Sequence, residues 1–172
     1  MTWTRLGGVA AVLGGLAWSV KGFVILAGGD QPPLLFEVAP ALFGIGLLSI
    51  AHSAMPHGRR RTAAMGFAAV SIAADVVAVV TEVVGEVAGA AIAASSLALV
   101  VGLVTLDRHQ PSPTPLAWWI GVAMLPAVFV GGMLSEIDER LLEVPLVCLG
   151  VAWMFVGWAV LAPRDPSRAT VG

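Results

Sequence analysis

Four ionisable residues, Lys21, Glu37, Asp75 and Glu82, lie inside or at the edge of long apolar runs. A charge placed in hydrocarbon costs about 2.5 to 3.5 kcal/mol on insertion scales, so such residues belong to ion pairs, ligand sites or proton paths. Counted at about 1.5 Å per helical residue, Lys21 lies roughly 9 Å and Asp75 roughly 12 Å from the same end of their runs. These matched depths predict an ion pair between Lys21 and Asp75, direct or through water. The stem of Lys21 is long enough to snorkel outward, whereas the short side chain of Asp75 is not.

Seven residues bring a helix back to within about 20° of its starting direction, so Asp75 and Glu82 share a face with Ser71. That polar stripe is expected to point into a helix bundle. Glu37 follows Pro32 and Pro33 and is expected in the first turn of its helix, where a carboxylate complements the helix dipole. Together these groups predict a polar cavity open at one end of the bundle and narrowing toward Lys21 and Asp75, while Trp18 or Trp153 would line an apolar pocket for a lipid or terpenoid. The candidate ligand-binding residues are therefore Lys21, Glu37, Asp75, Glu82, Trp18 and Trp153.

Other chemistry is weakly signalled. His52 and His57 are five apart and fall on different helix faces, and His109 is in another connector, so no metal site is predicted. The acidic run from Glu136 to Glu143 lacks the glycine turn and alternating oxygens of a calcium loop and reads as a solvated connector. No serine and histidine pairing or paired-acid motif fixes a reaction, no catalytic residue is assigned, and no cofactor is called for. Cys148 is the single cysteine, which excludes an intrachain disulfide; its place in an apolar run reads as a small core residue.

The elements that must position these groups follow from hydropathy. The chain of 172 residues is 58% hydrophobic and 12% charged, with a mean hydropathy of +0.93, which is too apolar for a surface facing water. Apolar runs near 6–27, 34–53, 62–83, 87–106, 116–134 and 144–162 each approach the roughly 20 residues needed to cross about 30 Å of hydrocarbon. Polar or proline-rich connectors separate them, and only the boundary near Val84, Gly85 and Glu86 is weakly marked. The expected fold is all-α: an integral membrane bundle of six transmembrane helices, one domain over residues 1–172. Arg5 before an apolar run superficially fits a signal peptide. The run is too long, however, and Lys21 interrupts it, so it is read as the first span.

With six spans, Arg5, Arg59, Arg60, Arg61, Arg108, Arg164 and Arg168 share one side, against Arg140 on the other. Positive charge marks the cytoplasmic side, so both termini are expected there. Trp3, Trp118, Trp119 and Trp158 lie near the same interface. Arg59, Arg60 and Arg61 are expected to meet anionic headgroups. One lysine against eight arginines, with no tyrosine or asparagine, fits a GC-rich bacterial genome and hence a bacterial cytoplasmic membrane. A net charge of −2 without a clustered basic face argues against nucleic acid. Small residues such as Gly7, Ala11 and Gly15, or Gly85 with Gly89, allow close helix packing, within the bundle or between chains of a homo- or hetero-oligomer.

These features support three functions. The first is binding or transport of a small polar or cationic molecule by the charged cavity. The second is an accessory or assembly subunit in which the polar groups only hold helices together. The third is an intramembrane enzyme acting on a lipid or terpenoid, with Asp75 or Glu82 as general acid. No inverted repeat of the transporter kind relates the two halves.

Overall fold

The computed structural model describes residues 2–30, 35–84, 89–110 and 113–162. Among them are six α-helices: α1 (Trp3–Leu26), α2 (Leu35–Ala54), α3 (Arg59–Val83), α4 (Gly89–Val104), α5 (Thr114–Ser135) and α6 (Glu143–Leu161). A short 3-10 turn, Glu139–Leu142, leads into α6, and no strand occurs among the described residues. The helices follow the apolar runs to within a few residues. Trp3–Leu26, Arg59–Val83, Thr114–Ser135 and Glu139–Leu161 are long and apolar enough to cross a membrane, while α2 and α4 contribute shorter apolar stretches.

Glycine placement explains how α1 is seated. It carries two glycine heptads offset by one residue, and a heptad repeat keeps nearly the same helix face. Gly8, Gly15 and Gly22 meet α6 in antiparallel register at Gly157, Gly150 and Glu143. A β-carbon on Gly150 would lie 2.7 Å from the carbonyl oxygen of Gly15, and one on Gly157 would lie 2.6 Å from that of Gly8. The backbones therefore touch, and only glycine allows it. Gly7 and Gly14 instead meet Ser49 and Phe43 of α2. The small-residue stripe of Gly7, Ala11 and Gly15 thus divides between two neighbours inside the bundle.

α1 ends where the chain can reverse. Gly28 has φ +87°, its N–H donates to Ile25 O at 2.9 Å, and the Gly29 N–H donates to Val24 O at 2.9 Å. This is a Schellman termination, which closes the last helical carbonyls and favours glycine at the left-handed position. Arg140 lies against Gly28, which puts the 3-10 turn before α6 at the same end of the bundle as the close of α1.

α2 stands between α1 and α3, and α1 and α3 make no contact among the described residues. Phe43 of α2 is fully buried, with Trp18 of α1 edge-on at 5.1 Å and Trp153 of α6 stacked at 4.6 Å. Each such pair adds about 0.5 to 1.5 kcal/mol beyond the burial of its area. Leu47, Leu99, Leu103 and Leu106 extend this core toward α4 and the connector after it. Cys148 differs from its expected core position: it is exposed. Two residues, or about 200°, separate it from Gly150, so it leaves α6 on the side away from α1.

If glycine contact sets the separation of α1 and α6, Gly150→Ala should destabilise the protein by about 1 to 3 kcal/mol through overpacking. Gly66→Ala, whose added β-carbon meets nothing within 4 Å, should be neutral or stabilising by up to about 1 kcal/mol. Thermal or denaturant unfolding of both variants in detergent micelles checks the contrast, and equal effects would sink the packing account.

Candidate functional site

Lys21 immediately precedes Gly22, whose neighbour on α6 is Glu143, and this proximity decides its partner. Its Nζ donates to Glu143 Oε1 at 2.8 Å, forming a salt bridge whose two side chains are each 6% exposed. The expected pairing of Lys21 with Asp75 is corrected by this contact. α2 intervenes between α1 and α3, so equal depth did not mean adjacency.

The acidic run that suggests a solvated connector includes Glu143, but the local backbone carries this residue into α6. Asp138 Oδ1 accepts the N–H of Arg140 at 2.9 Å and starts the 3-10 turn, which rolls directly into α6. Glu143 thereby becomes the first residue of α6 and is buried. A carboxylate in a first turn is favoured by the helix dipole as well as by its cation.

Asp75 is 1% exposed and is held by a different device. Pro40 lies inside α2, where its ring lacks an N–H and obstructs the carbonyl four residues earlier. The next backbone N–H, that of Ala41, donates to Asp75 Oδ2 at 2.9 Å. A carboxylate on α3 thus grips α2 beside its proline. Ser71, one turn away, is fully buried against α4: the Ser95 hydroxyl donates to Ser71 O at 3.0 Å, and the two hydroxyl oxygens lie 3.2 Å apart. Charge and hydroxyl contacts therefore tie α1 to α6, α2 to α3 and α3 to α4.

The other candidates separate. Ser71, Asp75 and Ala78 form the buried face of α3, but Glu82 is exposed, so the predicted polar stripe does not continue to it. Glu82 keeps nearly the direction of Asp75 but stands in the last turn of α3, which ends at Val83. The side chain of Glu37 and the whole of Gly85 and Glu86 lie outside the described residues. Trp18 and Trp153 are brought together, but by Phe43, in the core just described. Lys21, Trp18, Trp153 and Glu143 gather on the α1, α2 and α6 side, and Asp75 lies across α2 from them.

Two buried polar atoms on that side, Glu143 Oε2 and Trp153 Nε1, have no hydrogen-bond partner among the described residues. The expected cavity was at the end bearing Glu143. Two cavities among the described residues lie at the opposite end, beside the arginines of α3 and the connector after α4. No group of three metal-binding side chains occurs among the described residues.

No protein-family model, curated protein or solved structure matches the chain.

Glu143 is the site residue that sequence reasoning missed. Its signal was the heptad Glu143, Gly150, Gly157, which mirrors Gly8, Gly15, Gly22 in an antiparallel pair.

Breaking the buried pair should cost far more than removing it. Lys21→Met leaves an uncompensated carboxylate and should destabilise by about 3 to 5 kcal/mol, while Lys21→Met with Glu143→Leu should recover most of the loss. For the second tie, Asp75→Asn keeps an acceptor for Ala41 N–H and should be milder than Asp75→Leu, which should cost about 1 to 3 kcal/mol. Denaturant unfolding in micelles measures both series; a double variant no better than Lys21→Met would remove the first argument.

Proposed function

We propose that the chain is an integral protein of the bacterial cytoplasmic membrane, with six spans and both termini on the cytoplasmic side, acting as a small accessory or assembly subunit. The observation that carries this reading is the closed use of embedded charge: Lys21 meets Glu143, and Asp75 meets the Ala41 backbone. These contacts hold helices together. Where lipid supplies no hydrophobic drive between helices, packing of small residues and polar ties takes its place. The orientation rests on Arg59, Arg60 and Arg108 gathering at one end while Arg140 lies at the other beside Gly28.

A second reading has its own support. Glu143 Oε2 is a buried acceptor without a hydrogen bond among the described residues, which fits binding or transport of a small polar or cationic molecule.

The two readings part on one pair of measurements. As an accessory subunit, the protein extracted in mild detergent should migrate with a partner in fixed stoichiometry. Reconstituted alone in vesicles, it should take up neither sodium nor tetramethylammonium above empty vesicles. Uptake by the purified chain, lost in a folded Glu143→Gln variant, would overturn the accessory role in favour of transport. Reporter fusions after Gly29 and after Leu161 test orientation, with the second expected on the cytoplasmic side and the first across the membrane.

A further inference from the structure

We propose that the cavity between the start of α3 and the α4–α5 connector binds a phosphate group carried by a molecule with an apolar portion. The cavity has a volume of about 660 Å³, and its polar lining includes Arg59, Arg60, Asp107 and Arg108. A second hollow of about 250 Å³ shares Arg59, Arg60 and Asp107 and adds Arg61. Positive charge therefore dominates both.

Arg61 is engaged with His52 Nδ1 at 3.1 Å, which leaves Arg59, Arg60 and Arg108 for an anion. Among the described residues, none of them forms an ion pair with a carboxylate; the ion pair present is that of Lys21 at the other end. The acid in the cavity, Asp107, is engaged by its own connector. Its Oδ1 accepts the His109 N–H at 3.0 Å and its Oδ2 accepts from Gln110 Nε2 at 3.2 Å. The backbone N–H of His109, then the Gln110 amide, hold this carboxyl below its usual range. Arg60 favours the same charge more weakly, and one carboxylate does not cancel three guanidinium groups.

The guanidinium of Arg108 is placed by stacking over the Trp118 ring at 5.5 Å, and its Nε donates to His109 Nε2 at 3.4 Å. α3 begins at the same wall, after Gly58, whose missing side chain leaves the first N–H groups uncapped and adds positive potential. Planar guanidinium forks match phosphate oxygens in pairs. Beside Thr105 and His109 the wall is completed by Ala63, Val104, Leu106 and Trp118, so one side of the space next to the phosphate is apolar. An anionic phospholipid headgroup and a soluble phosphate ester share this chemistry.

The test is a thermal-shift titration of the full chain in nonionic detergent with short-chain phosphatidic acid and, separately, with phenyl phosphate. Either ligand should stabilise the protein. Phosphatidic acid alone marks a lipid source, and phenyl phosphate, alone or with the lipid, marks a site open to soluble esters. The double variant Arg59→Gln, Arg108→Gln should weaken binding by a factor of ten or more, on the order of one or two charge-assisted hydrogen bonds, while Arg140→Gln at the other end should not. Arg108→Lys keeps the charge and loses the fork, and should weaken binding several-fold; it serves if the double variant does not fold. No stabilisation by either ligand, or binding insensitive to Arg59 and Arg108, would overturn the proposal.

Discussion

Backbone contact between α1 and α6 is the constraint on which the rest of the bundle depends. Gly8, Gly15 and Gly22 remove the side chains that would keep the helices apart, and Gly150 and Gly157 do the same from the other side. Once the axes approach this closely, the register is fixed at one-residue precision, because each glycine must face its counterpart. Lys21 and Glu143 then fall at the end of the same contact, where a 2.8 Å bond closes it. The order of cause matters. A buried ion pair is weak evidence of net stability, since desolvation offsets most of its attraction. Its value here is in specificity: a slip by one helical turn would strand both charges, so the pair penalises every register except the one the glycines already select.

This coupling also explains what could and could not be read from the chain. Helix positions were legible because runs of apolar residues bounded by Pro, Gly and charge leave little choice. The burial of Lys21 and Asp75 was legible from cost alone. Their partners were not, because depth along a helix says nothing of which helices are neighbours. α2 occupies the space between α1 and α3, and its backbone, through Ala41, supplied the group that Asp75 needed. Glu143 was hidden by composition: surrounded by Glu136, Asp138, Glu139 and Arg140, it looked like one more loop acid, although its seven-residue spacing to Gly150 and Gly157 gave it away. Glu82 failed in the opposite direction. Periodicity puts it on the face of Asp75, but it falls in the last turn of α3, beyond Ala78, and is exposed.

The Asp75 tie answers a problem that Pro40 creates. A proline inside a helix removes one hydrogen bond and pushes away a carbonyl, which loosens the turn around it. In water the disturbed groups would be solvated, but in an apolar bundle they must find protein partners. A carboxylate is the strongest acceptor available for the adjacent N–H, and its position on α3 makes the repair also a link between helices. The same side chain thereby stabilises a local defect and sets how α3 lies on α2. Ser71, one turn along, continues the line of polar contacts to α4. α2, α3 and α4 are joined at successive helices by groups that all project from one face of α3.

The two ends of the bundle use charge in contrasting ways, and the contrast argues for separate roles. At the Glu143 end, the charged pair is buried, matched and tied to the packing of α1 on α6, so any change there is transmitted to the fold. At the other end, Arg59, Arg60 and Arg108 surround a cavity without a neutralising ion pair among the described residues, and Asp107 is already held by His109 and Gln110. Three like charges around one hollow repel one another and persist there at a cost to stability unless something anionic relieves it. Function built on such a site leaves the α1–α6 contact undisturbed, because none of these arginines takes part in it. That division lets the arginine end bind and release while the opposite end holds the bundle together.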